Sequence, residues 1–75
     1  MQTYRDWDND SNVVAYENGN DYIIVEFRGG RYKFYKYTVG STGSHNISEM
    51  QRLANLGDGL NAFINDNKPG YESKW

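Results

Sequence analysis

The sequence predicts an α+β domain: a three-stranded antiparallel β-meander followed by one broken helix or two short helices packed on one face, βββα(α). Three observations predict it. Residues 11–39 alternate apolar and polar side chains around the turn formers Asn18-Gly19 and Gly29-Gly30, and residues 46–67 carry apolar side chains at helical spacing. A chain of 75 residues suffices for one core only.

The first strand spans Ser11 to Glu17, with Val13 and Ala15 alternating against Val14 and Tyr16. Asn18-Gly19 favours a type I′ turn, because both central residues must tolerate positive φ. The second strand follows from Tyr22, with Ile23, Val25 and Phe27 at alternate positions on one face. Gly29-Gly30 makes the next two-residue reversal. Counted from that turn, Tyr32 and Phe34 join the apolar face, whereas Lys33, Tyr35 and Tyr37 lie outside with Tyr22, Ile24, Glu26 and Arg28. Two strands are marginal in water, so the apolar face needs cover.

That cover comes after the connection Gly40-Ser41-Thr42-Gly43-Ser44-His45. Asn46 can cap a helix with Glu49 in the capping-box position, and Ile47, Met50, Leu53 and Ala54 fall on one stripe. A second stripe, Leu56, Leu60, Phe63 and Ile64, centres about a quarter turn away at roughly 100° per residue. Gly57-Asp58-Gly59 stands between the stripes, so a break is expected there, with Asp58 capping a short helix that ends near Asn67. Pro69-Gly70 then turns the chain into YESKW. The expected organisation is an acidic N-terminal leader over 1–10, the domain over 11–67 and a C-terminal tail over 68–75.

Cysteine is absent, which excludes disulfides, zinc-thiolate sites and thiol nucleophiles, and favours a reducing, cytoplasmic setting. No apolar run approaches the roughly 18 residues of a membrane span. The net charge of −2 argues against a whole-protein attraction to nucleic acid, but the charges are segregated. Arg28, Arg31, Lys33 and Lys36 crowd one hairpin, while Asp6, Asp8, Asp10, Glu17, Asp21 and Glu26 precede it with only Arg5.

Ser11-Asn12-Val13, the strand Ile24-Val25-Glu26-Phe27, the segment Gly30-Arg31-Tyr32-Lys33-Phe34 and the later Ala54, Gly59-Leu60-Asn61 and Phe63-Ile64 occur in this order. The order resembles the KTSC domain family, found after some lysyl-tRNA synthetases and as free-standing small proteins of bacteria and phages. The resemblance covers about Ser11 to Asn65. It implies strands before helices and a small accessory factor, and it carries over no catalytic residue.

Aromatic rings interleaved with Lys and Arg on a sheet suit a protein interface, where Tyr and Arg concentrate, or a single-stranded nucleic-acid platform. The expected partner-binding residues are therefore Tyr22, Arg28, Arg31, Lys33, Tyr35, Lys36 and Tyr37, with a protein the first partner and RNA or DNA the alternative. Tyrosines also stabilise sheets simply through cross-strand pairs. The same face could serve self-association.

Asp6, Asp8 and Asp10, with Glu17 at the twelfth place, match the spacing of a calcium loop. Ser11 stands where the sharp turn requires glycine, and Glu17 is wanted in a strand, so no metal or other cofactor is expected, and a small calcium-binding protein is the last of the alternatives. The glycine- and serine-rich connection lacks the Lys of a phosphate loop. His45, the single histidine, has serines at 41 and 44, but neighbours in sequence do not make a catalytic pair, and no constellation supports catalysis.

Overall fold

The computed structural model of the protein describes residues 1–7 and 11–75. Strands β1 (Gln2–Thr3), β2 (Val13–Asn18), β3 (Tyr22–Phe27), β4 (Phe34–Thr38) and β5 (Ser73–Lys74) form one antiparallel sheet in chain order. Helices α1 (Val39–Thr42), α2 (Ser44–Leu56) and α3 (Leu60–Asn67) lie between β4 and β5 in the chain. The α+β class and the antiparallel meander are as expected. The strand number is not, because segments read as leader and tail each add a two-residue edge strand.

The first of these segments is also part of the core. Tyr4 is 4% exposed, and its hydroxyl accepts the Leu60 N–H at 3.2 Å. Trp7 donates its backbone N–H to the Gly57 carbonyl and its indole N–H to the Leu56 carbonyl, at 3.1 and 2.9 Å. Residues 1–7 thus hold the end of α2, where unpaired carbonyls need donors.

Simple alternation fails in β2. Its register shifts between Val13 and Ala15, so Val14 is an extra residue in the ladder and Val13 and Tyr16 are both buried. Without the bulge, residues three apart would face opposite ways. The following turn also moves: Gly19 donates to the Tyr22 carbonyl at 2.9 Å, leaving Asn20 and Asp21 as the turn residues, and neither has positive φ. Gln51 of α2 clamps this turn, its amide donating to the carbonyls of Gly19 and Tyr22 at 2.8 and 2.9 Å.

The largest departure from expectation is the next hairpin. Glu26 pairs with Phe34, Val25 with Tyr35 and Ile23 with Tyr37, and Phe27 donates to the Lys33 carbonyl at 2.7 Å. The connection is five residues, 28–32, rather than the two of a tight turn. Changing the register by one residue reverses every side chain of the strand. Tyr35 and Tyr37 therefore face the helices and Phe34 faces away, the opposite of the alternation counted from a Gly29-Gly30 turn. Gly29 and Gly30 both hold positive φ, 72° and 90°, which the wide loop requires.

Gly40 to Thr42 form no flexible connection but a helical turn. The Ser41 N–H donates to the Thr38 hydroxyl and the Thr38 N–H to the Ser41 hydroxyl, at 3.1 and 3.0 Å, a reciprocal cap. Helix α2 starts at Ser44 after Gly43, two residues before the expected cap. Asn46 instead donates its amide to the Thr42 carbonyl. The break after α2 falls where expected, with Gly57 left-handed at the end of α2 and Gly59, not Asp58, capping α3.

Helix α2 lies across β3 and β4. Ile23, Val25, Ile47, Met50, Ala54 and Leu60 make a fully buried centre, ringed by Tyr4, Val13, Tyr16 and Tyr37. Among the described residues no helix is long and apolar enough to cross a membrane.

Deleting Gly30 shortens the hairpin loop to four residues and removes one of its two positive-φ positions while the core holds the register, so the variant should keep a cooperative thermal transition at a lower midpoint. Urea titration should separate two glycines. An added Cβ at Gly57, at φ 78°, would stand 2.6 Å from the Arg5 Cβ, so Gly57→Ala should cost about 2–5 kcal/mol. At Gly29 it would meet nothing within 4 Å, and Gly29→Ala should cost about 1–2 kcal/mol.

Candidate binding cleft

The register that turns Tyr35 and Tyr37 inward also leaves a cleft. Helix α3 ends at Asn67, with Lys68 left-handed behind it, and the cleft lies between this end and the loop of the β3–β4 hairpin. The uncovered space, about 490 Å³, is walled by Phe27, Tyr35 and Tyr37 from the sheet and by Tyr32 and Gly29 from the hairpin loop. Ile64, Asn65, Lys68 and Pro69 complete it from the end of α3, with Tyr71 and Asn12 at its sides.

The rings stand at right angles. Tyr35 meets Phe27 edge-on at 5.4 Å and 89°, and Tyr71 edge-on at 5.0 Å and 88°, whereas Tyr37 stacks behind Tyr35 at 6.4 Å. Edge-to-face pairs of this kind fix ring orientation. Tyr32 and Tyr71 remain 40% and 44% exposed at the mouth. The Lys74 ammonium lies between them, 4.9 Å from the Tyr32 ring centre and 5.2 Å from that of Tyr71. A hydrogen bond to Tyr71 raises this ammonium above the ordinary lysine range, so it stays charged. Arg31 covers Tyr32 at 5.7 Å.

The expected partner-binding residues divide between two faces. Tyr35 and Tyr37 are not on the outer sheet face: Tyr35 is a wall of the cleft, and Tyr37, 3% exposed, is its floor. Arg28, Arg31 and Lys33 are exposed on the loop that borders the cleft. Tyr22 and Lys36 do lie on the outer face, where the Lys36 ammonium stands 5.0 Å from the Tyr22 ring centre and 3.7 Å from the Glu72 carboxylate. The Tyr22 hydroxyl donates to Glu17 at 3.0 Å, which raises its pKa.

Of the spaced carboxylates, Asp8 and Asp10 lie outside the described residues. Asp6 accepts the Ser11 N–H on both oxygens, at 3.1 and 3.2 Å. Glu17, which would have to close a twelve-residue loop, is held in β2 by Tyr22. Among the described residues, no three His, Cys, Asp or Glu side chains are grouped to hold a metal. His45 is exposed in the first turn of α2.

Sequence reasoning misses Tyr32 as a cleft wall, because a two-residue turn places it in the core. It also misses Lys68, which follows the end of α3, and Tyr71 and Lys74, which reach the cleft only through β5, where a two-residue strand leaves no alternation to read.

Burial pushes the Tyr37 phenol up to about 12, with Tyr35 and Tyr71 adding to the effect. Below pH 10 the phenol is neutral in both folded and unfolded chains, and its contribution to stability is complete. Between pH 10 and 12 the unfolded chain ionises first, so the thermal midpoint should fall across that window. Tyr37→Phe should remove part of this pH dependence.

No protein-family model matches this chain, and no curated protein or solved structure is significantly similar to it; the likeness to KTSC domains rests on the residues quoted for it.

Proposed function

We propose that the protein is a non-catalytic binding module that takes an anionic partner at the cleft end of the sheet. One observation carries this reading. Five of the eight basic residues, Arg28, Arg31, Lys33, Lys68 and Lys74, are in the hairpin loop or at the cleft, and among the described residues no acidic side chain lines it. A local cluster of one sign raises the concentration of oppositely charged partners, whatever the total. Aromatic walls supply apolar area, and the Asn12 and Asn65 amides supply hydrogen bonds, the usual composition of a binding site.

A second reading keeps a protein partner on the outer face. Its support is the Phe34–Trp75 pair, stacked at 5.7 Å with Trp75 52% exposed. Glu17 and Glu26 share that face, so it suits a basic rather than an anionic surface.

Heparin-column chromatography tests the first reading. The wild type should be retained at low salt, and Arg31→Glu with Lys68→Glu should elute at lower salt, whereas Lys36→Glu on the outer face should change elution little. Flow-through of the wild type at low salt would end it.

A further inference from the structure

The chemistry of the cleft narrows the class of anion. Mutually perpendicular aromatic walls are the usual cage for a quaternary or methylated ammonium. Here Lys74 already places a cation over two of the rings, and Lys68 and Arg31 stand beside it, so a cationic ligand would meet repulsion. A carboxylate-rich peptide would satisfy the charges and leave the aromatic faces unused. One unpaired nucleobase with its flanking phosphates satisfies both: the phosphates draw the flexible, solvent-exposed Lys74 and Arg31 heads off the ring faces, the base takes their place against Tyr32 and Tyr71, and its edge meets the amides of Asn12 and Asn65.

We infer that the cleft seats a single unpaired base of a single-stranded nucleic acid, with the adjoining phosphates on Lys74, Lys68 and the hairpin loop. The inference rests on the anionic reading of the same site and names its ligand. A volume of about 490 Å³ lies within the range of small-ligand sites and accommodates a base with its sugar. The exposed mouth lets the strand enter and leave.

The second half of the site depends on one residue outside it. Alternation in β5 puts Lys74 beside Tyr35 and sends Trp75 to the outer face. There Trp75 stacks on Phe34, its carbonyl accepts the N–H groups of Lys33 and Phe34 at 3.0 and 2.9 Å, and its N–H donates to the Phe34 carbonyl at 2.9 Å. The backbone bonds would form with any residue at this position, so the Trp75 ring acts through its stack on Phe34, as a positioning residue that keeps Lys74 and Tyr71 at the cleft without touching the base.

Fluorescence anisotropy with a labelled oligothymidylate, an abasic strand of the same length and the matching duplex tests the inference. Oligothymidylate should bind more tightly than the abasic strand by about 5- to 150-fold, the range given by base–aromatic stacking, and more tightly than the duplex. Tyr32→Ala and Tyr71→Ala should abolish that advantage, and the Phe variants should retain it. Lys74→Ala should reduce the slope of log affinity against log salt by about 0.7, one single-strand phosphate contact. Trp75→Ala should reduce the slope equally with an unchanged thermal midpoint, and Trp75→Phe should restore it.

Equal binding of the abasic strand, or equal competition by polyglutamate, would overturn the base-seating inference while heparin retention kept the anionic reading. Failure to bind both oligonucleotide and heparin would end both. A wild-type slope in Trp75→Ala would remove the positioning role alone.

Discussion

In the β3–β4 hairpin the Phe27 N–H donates to the Lys33 carbonyl, and from that bond onwards the pairing of the two strands is determined. Tyr35 falls opposite Val25 and Tyr37 opposite Ile23, on the side where α2 lies. Lys36 falls opposite Ile24 on the other. An antiparallel ladder allows no intermediate: a slip of one residue would expose Tyr35 and Tyr37 and bury Phe34 and Lys36. A lysine in the core, without a partner, is far costlier than a displaced ring. The observed register is therefore the one compatible with a packed core, and the two positive-φ glycines give the loop the width it needs.

The same constraint accounts for the cleft. Turning two tyrosines inward beside Phe27 provides more aromatic surface than the helices cover, because α3 is eight residues long and the cleft lies between its end and the hairpin loop. A helix of that length rises about 12 Å. The surplus rings are covered from the side by Tyr71 and capped by Lys74, a looser cover than a helix. Burial decreases from the core outward, from Tyr37, held neutral to high pH, to Tyr32 and Tyr71 at the mouth. A recess with a rigid floor and an accessible rim is suited to ligand entry.

Much of this was legible in the sequence, and what was not failed for identifiable reasons. The meander, the inward face of Ile23, Val25 and Phe27, and the break at Gly57 each have a single pattern behind them. The segment Tyr32-Lys33-Phe34-Tyr35-Lys36-Tyr37 has two, since Tyr32 and Phe34 alternate as well as Tyr35 and Tyr37 do. With aromatic residues in both parities, only loop length decides, and Gly-Gly permits both a tight turn and a wide one. The bulge at Val14 was hidden similarly, because Val13, Val14 and Tyr16 are all good strand residues. Tyr4 and Trp75 sit in segments too short for any period, and only long-range pairing shows that they belong to the sheet.

The acidic total, which at first weighs against an anionic partner, acquires a geometric meaning once the site is located. A second cleft, of about 350 Å³, lies across α3 and is lined by Asp6, Asp58 and Asp66, sharing Asn65 with the aromatic cleft. The acidic cleft and the basic end of the aromatic cleft, where Lys68 stands, thus lie on either side of Asn65. A polyanion seated beside Lys68 would be repelled from the acidic side and drawn towards Arg31, Lys33 and Arg28. Like charges placed next to a site cost affinity for wrong orientations more than for the right one, and so favour one direction of approach. In a small domain with both signs close together, this arrangement gives orientation without a large net charge, and a net value of −2 says little about what the basic side can hold.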